Sequence, residues 1–184
     1  LSLLRSEDWR VRDEAIALIN KDYEKYRNDK ALKANLLNAL AFENNVYRDL
    51  LENKIVRAEE DWERGQYHLQ LIYLVIKLDV SGSLEVLLDC VNTGNTVTNV
   101  IVEKLMEEEN LKTLLIIQNR ISSQDIYYKG KRSAYLWTLK KYLDKTNGQI
   151  GDRKKDIIKQ IIKNSLISIS PFEREYAILC SRYF

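Results

Sequence analysis

Apolar residues recur along this chain with the spacing of amphipathic helices. In the first such segment, Val11, Ala15, Leu18 and Ile19 fall at positions i, i+4, i+7 and i+8, which lie on one face of a helix. Similar segments follow one another and are separated by short polar breaks. The pattern predicts helices over residues 8–25, 30–53, 58–78, 84–91, 96–108, 111–120, 125–145, 152–164 and 171–184.

The first and last predicted helices carry N-terminal capping signals. Asp8 or Ser6 precedes the first helix, where a side-chain oxygen can accept a hydrogen bond from a free backbone amide. Ser170 does the same for the last helix. Pro171 follows at the first helical position, where its missing N–H costs nothing.

The composition agrees with a helical, folded protein. The 184 residues are 45% hydrophobic and 30% charged, and they include one proline and six glycines. A β-sandwich or barrel of this size would need more proline and glycine for its many turns. We expect residues 1–184 to form a single domain, taken from a longer array of repeats.

Four of the predicted helices share a weak internal repeat, whose clearest copy is Val11-Arg12-x-x-Ala15-Ile16. The other copies are Val97-Thr98-x-x-Ile101-Val102, Gly130-Lys131-x-x-Ala134-Tyr135 and Glu173-Arg174-x-x-Ala177-Ile178. Successive copies are 86, 33 and 43 residues apart, and steps of this size are typical of helix-pair repeats. A small fifth residue lets two helices approach closely, so we expect the three alanines to be buried.

The stretch from Asp8 to Ile19, with its V-R-x-x-A-x-x-x-L spacing after a short acidic turn, resembles the second helix of a HEAT repeat. The resemblance is closest over residues 3–24, fair over 84–108 and 152–184, and limited to helical character over 26–80. It implies an all-α fold, a right-handed α-α superhelix of about four to five helix pairs. An irregular all-α bundle is the alternative.

Charge is distributed unevenly along the chain. Residues 129–163 contain eleven Lys or Arg and three acidic residues, a local charge of +8, so the remainder carries −6 of the net +2. This basic stretch is interpreted either as a solvated helix face or as a surface that attracts an acidic partner. Tyr127-Tyr128-Lys129-x-Lys131-Arg132 allows three interpretations, namely packing at a helix start, protein binding or nucleic-acid binding.

The residue types that carry catalysis are sparse. His68 is the one histidine and is expected to be a satisfied core or boundary residue, while Cys90 and Cys180 are expected to be reduced core thiols. Glu103 and Glu107 share a helix face, but no nearby residue completes a metal-ligand set. We therefore predict no catalytic, metal or cofactor site. The apolar run 71–78 is too short to span a membrane, and no membrane partner is expected.

The HEAT resemblance implies a non-catalytic protein-binding scaffold or adaptor in the cytoplasm, which binds a protein or peptide segment along the concave face formed by its second helices. The alternatives are a HEAT-like DNA-binding protein of the alkylpurine DNA glycosylase kind, or an immunity-type inhibitor. Nucleic acid is the less favoured partner, because the −6 body would repel it. The exposed contact residues predicted from helical phase are Arg10, Asp13, Tyr67, Thr98, Tyr128, Arg132 and Tyr135.

Overall fold

The computed structural model describes residues 2–52, 60–92, 96–107 and 111–184. Every regular element in this part of the chain is a helix, which confirms the all-α prediction. The chain divides into two compact units, Leu1–Cys90 and Val91–Phe184, and each is described by itself. That residues 1–184 form a single domain taken from a longer array of repeats stays a prediction.

The first unit packs α4 against both α1 and α3. Its elements are a 3-10 helix (Ser2–Arg5), α1 (Trp9–Lys21), α2 (Tyr23–Tyr26), α3 (Lys30–Glu52), α4 (Glu60–Lys77) and α5 (Leu84–Asp89). The helices α1 and α4 run in the same direction: the Trp9 ring lies near Tyr67, and the Tyr23 hydroxyl donates to the Lys77 carbonyl at 3.1 Å. Helix α3 also contacts the 3-10 helix and α5.

The second unit has α9 at its centre, packed against both α6 and α11. Its elements are α6 (Thr96–Glu107), α7 (Lys112–Ser122), α8 (Ile126–Lys129), α9 (Arg132–Thr146), α10 (Asp152–Leu166) and α11 (Pro171–Ser181). Helix α10 packs against α11 and α7. Leu136, Leu139 and Leu143 of α9 are fully buried, because the helix has neighbours on two sides.

Both predicted caps are present. The Asp8 carboxylate accepts a hydrogen bond from the backbone N–H of Arg10 at 2.9 Å, and the Ser170 hydroxyl accepts one from Glu173 at 3.4 Å. Ser6, the other candidate, accepts instead from the backbone N–H of Asp8 at 3.2 Å and so braces the cap. These bonds satisfy amides that have no partner inside the helix.

The arginine at the second position of the internal repeat makes the same contacts in α1 and α11. Arg12 donates through Nη1 to the carbonyls of Ser6 and Glu7, six and five residues before it. Arg174 donates through Nη1 to the carbonyls of Ser168 and Ile169, at the same two offsets. Each guanidinium therefore holds the turn that leads into its helix.

The observed helices depart from the predicted ones mainly by two breaks. The predicted helix 8–25 is interrupted at Asp22, whose backbone (φ −111°, ψ 37°) lies outside the helical region. The predicted helix 125–145 is interrupted at Gly130 and Lys131, between α8 and α9. The other bounds that the structure describes differ by at most three residues, the largest difference being the end of α11 at Ser181 instead of 184. The predicted ends at 53, 58 and 108 and the turn residues 93–95 lie outside the described residues.

The predicted burial of the three repeat alanines is confirmed. Ala15, Ala134 and Ala177 are all buried, and Cys90 and Cys180 are buried free thiols, as expected. Among the described helices, none is both long and apolar enough to cross a membrane.

Candidate functional site

Three of the residues predicted to be exposed contacts are buried. Tyr67, Thr98 and Tyr135 are at most 1% exposed, so the prediction of their exposure is wrong. Their polar atoms bond inside their own units: the Tyr67 hydroxyl accepts from Arg12 Nε at 2.9 Å, and Thr98 Oγ1 donates to the Asn92 carbonyl at 3.0 Å. The Tyr135 hydroxyl accepts from Arg120 Nη1 at 3.4 Å.

Two further predicted residues lie in the second unit and are half-buried. Tyr128 lies under the guanidinium of Arg120, with Cζ 5.3 Å from the ring centroid. Arg132 donates through Nη2 to the carbonyl of Ser123 at 2.6 Å and so holds the turn before α8. The surroundings of both side chains match the prediction of packing at a helix start.

The remaining two, Arg10 and Asp13, lie together in a groove between α1 and α4 in the first unit. This groove has a volume of about 380 Å³ and is called the Trp groove here. Its lining residues are Trp9, Arg10, Asp13, Glu14, Trp62, Glu63 and Gln66. Sequence reasoning missed the other five as contact residues: Trp9, Glu14, Trp62, Glu63 and Gln66.

The two tryptophans of the groove are held differently. Trp9, the first residue of α1 after its Asp8 cap, lies with its ring centroid 6.0 Å from that of Tyr67, and Arg10 Cζ lies 4.8 Å above it. Trp62 belongs to α4 and is 72% exposed. One wall of the groove is therefore fixed by packing, while the other presents an aromatic ring to solvent.

A buried ion cluster lies beneath this surface and joins three helices of the first unit, α1, α3 and α4. The Glu43 carboxylate of α3 accepts a hydrogen bond from Nη2 of Arg12 in α1. It accepts two more from Arg64 in α4, from Nε at 2.9 Å and from Nη2 at 3.2 Å. Arg12 is 2% and Glu43 0% exposed. A carboxylate bonded to two guanidiniums is compensated for its loss of water, and the cluster fixes the spacing of the groove walls.

The cluster also involves the Tyr67 hydroxyl, which accepts from Arg12. Burial raises the pKa of Tyr67 to about 12, although the nearby Arg12 opposes the rise. For Arg64, burial lowers the pKa but the hydrogen bonds to Glu43 outweigh it, so the net shift is upward. Both groups keep the protonated form at neutral pH, so Arg64 remains a charged donor to Glu43 and the neutral Tyr67 hydroxyl accepts from Arg12.

The Trp groove is acidic. Asp13, Glu14 and Glu63 contribute three carboxylates against the one guanidinium of Arg10. Asp13 is half-buried, and its Oδ1 atom is buried without a hydrogen-bond partner. Burial first, and then the neighbouring Glu14, raises the pKa of Asp13. Residues 1–90 contain 13 Lys or Arg and 17 Asp or Glu, so the surrounding unit is negative as well.

A larger cavity of about 820 Å³ lies in the second unit beside the start of α10. Two cations, Arg153 and Lys154, line it. Lys154 donates to the Leu105 carbonyl at 2.7 Å, and its Nζ lies 5.7 Å from the ring centroid of Tyr142. These contacts tie α10 to α6 and α9. The cavity is larger than the Trp groove but has a less distinctive set of exposed groups.

The chemistry-bearing side chains have structural roles. His68 Nε2 is 2.9 Å from Asn44 Oδ1, and its ring lies 4.8 Å from that of Tyr47, as expected of a satisfied boundary residue. Glu103 and Glu107 are exposed and lie 3.9 Å and 3.3 Å from the ammonium groups of Lys145 and Lys104. In the described part of the chain, no group of three or more His, Cys, Asp or Glu side chains is placed to hold a metal ion.

Comparisons of the chain with models of protein families, with curated proteins and with solved structures found no match. The candidate site is therefore argued from its own geometry.

Proposed function

We propose that this chain is a non-catalytic, cytoplasmic protein-binding scaffold that binds a segment of a partner protein in the Trp groove. The observation that carries the proposal is the groove itself, with an exposed tryptophan, a second tryptophan and three carboxylates on two adjacent helices. Exposed aromatic rings beside polar groups are typical of protein interfaces, where tryptophan contributes much of the binding energy.

The buried ion cluster supports the proposal, because it makes the groove pre-formed. Glu43 links the helices that carry both walls, so little ordering is required when a segment binds. Affinity can then come from contacts of modest strength along a rigid surface.

Packing within each unit supports the HEAT-like part of the proposal. In a helix-pair solenoid, second helices of adjacent repeats lie side by side in the same direction, as α1 and α4 do. In the second unit α9 packs between α6 and α11, and α7 packs on α10, which is the alternation that stacked pairs produce. Arg12 in α1 and Arg174 in α11 make the same contacts with the turn before their helix, as expected if both helices belong to copies of one repeat.

The charge of the groove favours a protein partner over DNA. A DNA strand that reached Trp62 would bring phosphates beside three carboxylates, and those phosphates would be repelled. An inhibitor of the immunity kind would be one form of protein binding and could use the same groove. The buried thiols of Cys90 and Cys180 suit the reducing conditions of the cytoplasm.

Selection from a random-peptide display library tests the proposal. Peptides selected on the wild-type protein should lose at least about tenfold in affinity on Trp62→Ala, the equivalent of removing one aromatic hot spot. Leu18→Ala is the matched control, because Leu18 is an exposed apolar residue of α1 that does not line the groove. Peptides that bind both variants equally would contradict the proposal, and so would the recovery of no peptides.

A further inference from the structure

One cation of the chain itself already lies on an aromatic ring of the Trp groove. The guanidinium of Arg10 lies over the face of Trp9, with Cζ 4.8 Å from the ring centroid. This is the distance at which a cation is attracted by the negative face of an indole ring. One of the two tryptophans is thus already covered by a positive charge from the chain itself.

Trp62 is the uncovered counterpart. Its side chain is 72% exposed, and no aromatic ring or cation among the described residues contacts it. A side chain laid on this indole ring would remove apolar surface from water, which is favourable. The face of Trp62 is therefore available to a cation from outside the chain.

The carboxylates of the groove supply the opposite charge. None of Asp13, Glu14 and Glu63 forms an ion pair within the described residues, and Asp13 Oδ1 is buried without a donor. A carboxylate oxygen that has lost water without gaining a donor is stabilised by any cation that supplies an N–H. The N–H of a bound side chain can supply this donor.

We infer that the Trp groove binds a lysine or arginine side chain of the partner segment, with the cation over Trp62 and its N–H groups directed to the groove carboxylates. This inference rests on the proposed function and names the chemistry of the partner. Both side chains provide the two features that the groove lacks: an aliphatic stem to cover the ring and a charged end for the carboxylates.

Charge complementarity distinguishes this occupant from others. An acidic or phosphorylated segment would meet three carboxylates, and an apolar segment would bury them without donors. A basic segment offsets the negative charge of the groove and of the unit around it. Its association should also weaken with added salt, because the attraction is partly electrostatic.

The same peptide display selection, extended by charge variants, tests the inference. We expect the selected peptides to be enriched in Lys or Arg, and replacement of the preferred cation by norleucine (for Lys) or citrulline (for Arg) to weaken binding at least about tenfold. In the protein, Glu63→Lys should lower the affinity for the basic peptides, also by at least about tenfold. Glu24→Lys is the control, because it makes the same charge change at an exposed position outside the groove.

The outcomes separate the inference from the proposed function. Basic peptides that depend on both Trp62 and Glu63 would support both. Peptides that depend on Trp62 but show no preference for cations, or that tolerate norleucine and citrulline, would overturn the inference and leave the proposed function standing. If no selected peptide depends on Trp62, both fail. Circular dichroism of each variant checks that it is folded. We expect every variant to fold, because substitutions of exposed side chains change stability little.

Discussion

Arg12 and Arg174 make the same pair of hydrogen bonds, each to the carbonyls six and five residues before it. In both helices the guanidinium lies over the turn that precedes the N-cap, and it satisfies carbonyls that no helix would otherwise use. Both arginines occupy the second position of the repeat found in the sequence. A planar group with several donors suits this role better than an ammonium, which cannot hold two carbonyls in fixed directions.

Arg174→Gln should therefore destabilise the protein by about 0.5–1.5 kcal/mol, because two carbonyls of the turn lose their donor and water replaces it only in part. Arg182→Gln, at an exposed position at the end of α11, should change the stability by less than about 0.5 kcal/mol. Urea denaturation followed by circular dichroism measures both. Equal stabilities for the two variants would show that the Arg174 hydrogen bonds contribute nothing.

Replacement of the buried Glu43 should destabilise the protein more than replacement of Arg174. Glu43→Gln should lower the free energy of unfolding by about 3–5 kcal/mol, because it leaves two guanidiniums without their counter-charge in the interior. Glu24→Gln is the matched control, since Glu24 is exposed and its contact with Arg27 is long, at 3.9 Å. A loss below about 1 kcal/mol for Glu43→Gln would be incompatible with a buried ion cluster.

Ala15 tests the packing of the repeat. Ala15→Phe should overpack the first unit and cost about 1–3 kcal/mol or more, because Ala15 is buried on the packed face of α1. Ala17→Phe is the control, because Ala17 lies on the exposed face of the same helix. Thermal unfolding of both variants is the measurement, and an unchanged melting temperature for Ala15→Phe would show that the layer around Ala15 is loosely packed.

The pH dependence of stability reports on Asp13. Its pKa is raised above the ordinary 3.8 by burial and by Glu14, so the folded state binds the proton more tightly than the unfolded state. The ionised carboxylate therefore destabilises the fold above the raised pKa. Asp13→Asn should raise the melting temperature near pH 7, and the gain should shrink as the pH falls through the raised pKa and vanish below 3.8.

Thermal melts of wild type and Asp13→Asn over a series of pH values measure this difference. Glu24→Gln, which removes an equal charge at an exposed position, should show no comparable pH-dependent gain. A lower melting temperature for Asp13→Asn at pH 7 would mean that the ionised carboxylate has a stabilising partner, and it would contradict the predicted direction.

The fold was largely predictable because it depends on the spacing of apolar residues. Helix α10 begins at the predicted Asp152, and α11 begins at Pro171 after its Ser170 cap. The breaks at Asp22 and Gly130 were not predictable, because the apolar spacing continues through both. The backbone departs from helical geometry at Asp22 (φ −111°, ψ 37°) between α1 and α2, and from ideal helical values at Lys131 (φ −106°, ψ −3°) between α8 and α9.

The site was predicted less well, because helical phase alone does not separate an exposed tyrosine from a buried one. Tyr67 has an apolar ring and a polar hydroxyl, and Arg12 offers that hydroxyl a donor inside the unit, so the ring turns inward. Arg10 and Asp13, which were predicted as contact residues, lie in the Trp groove together because they are three residues apart on α1. Trp62 and Glu63 join them only through the packing of α4 on α1, which one sequence does not reveal.

Binding to DNA provides the last prediction. The second unit contains 16 Lys or Arg and 10 Asp or Glu, and its exposed basic side chains include Lys129, Arg153, Lys159 and Lys163. We expect no tight binding of duplex or single-stranded DNA at about 150 mM salt, because the net charge of the protein is only +2 and acidic residues are interspersed with the basic ones. Fluorescence anisotropy with both DNA forms is the measurement.

The informative variant for this measurement is the double substitution Arg153→Glu with Lys163→Glu. Reversing the charge of Arg132 would also break its hydrogen bond to Ser123. Submicromolar binding that weakens steeply with salt and is abolished by this pair would replace the scaffold proposal with the DNA-binding alternative.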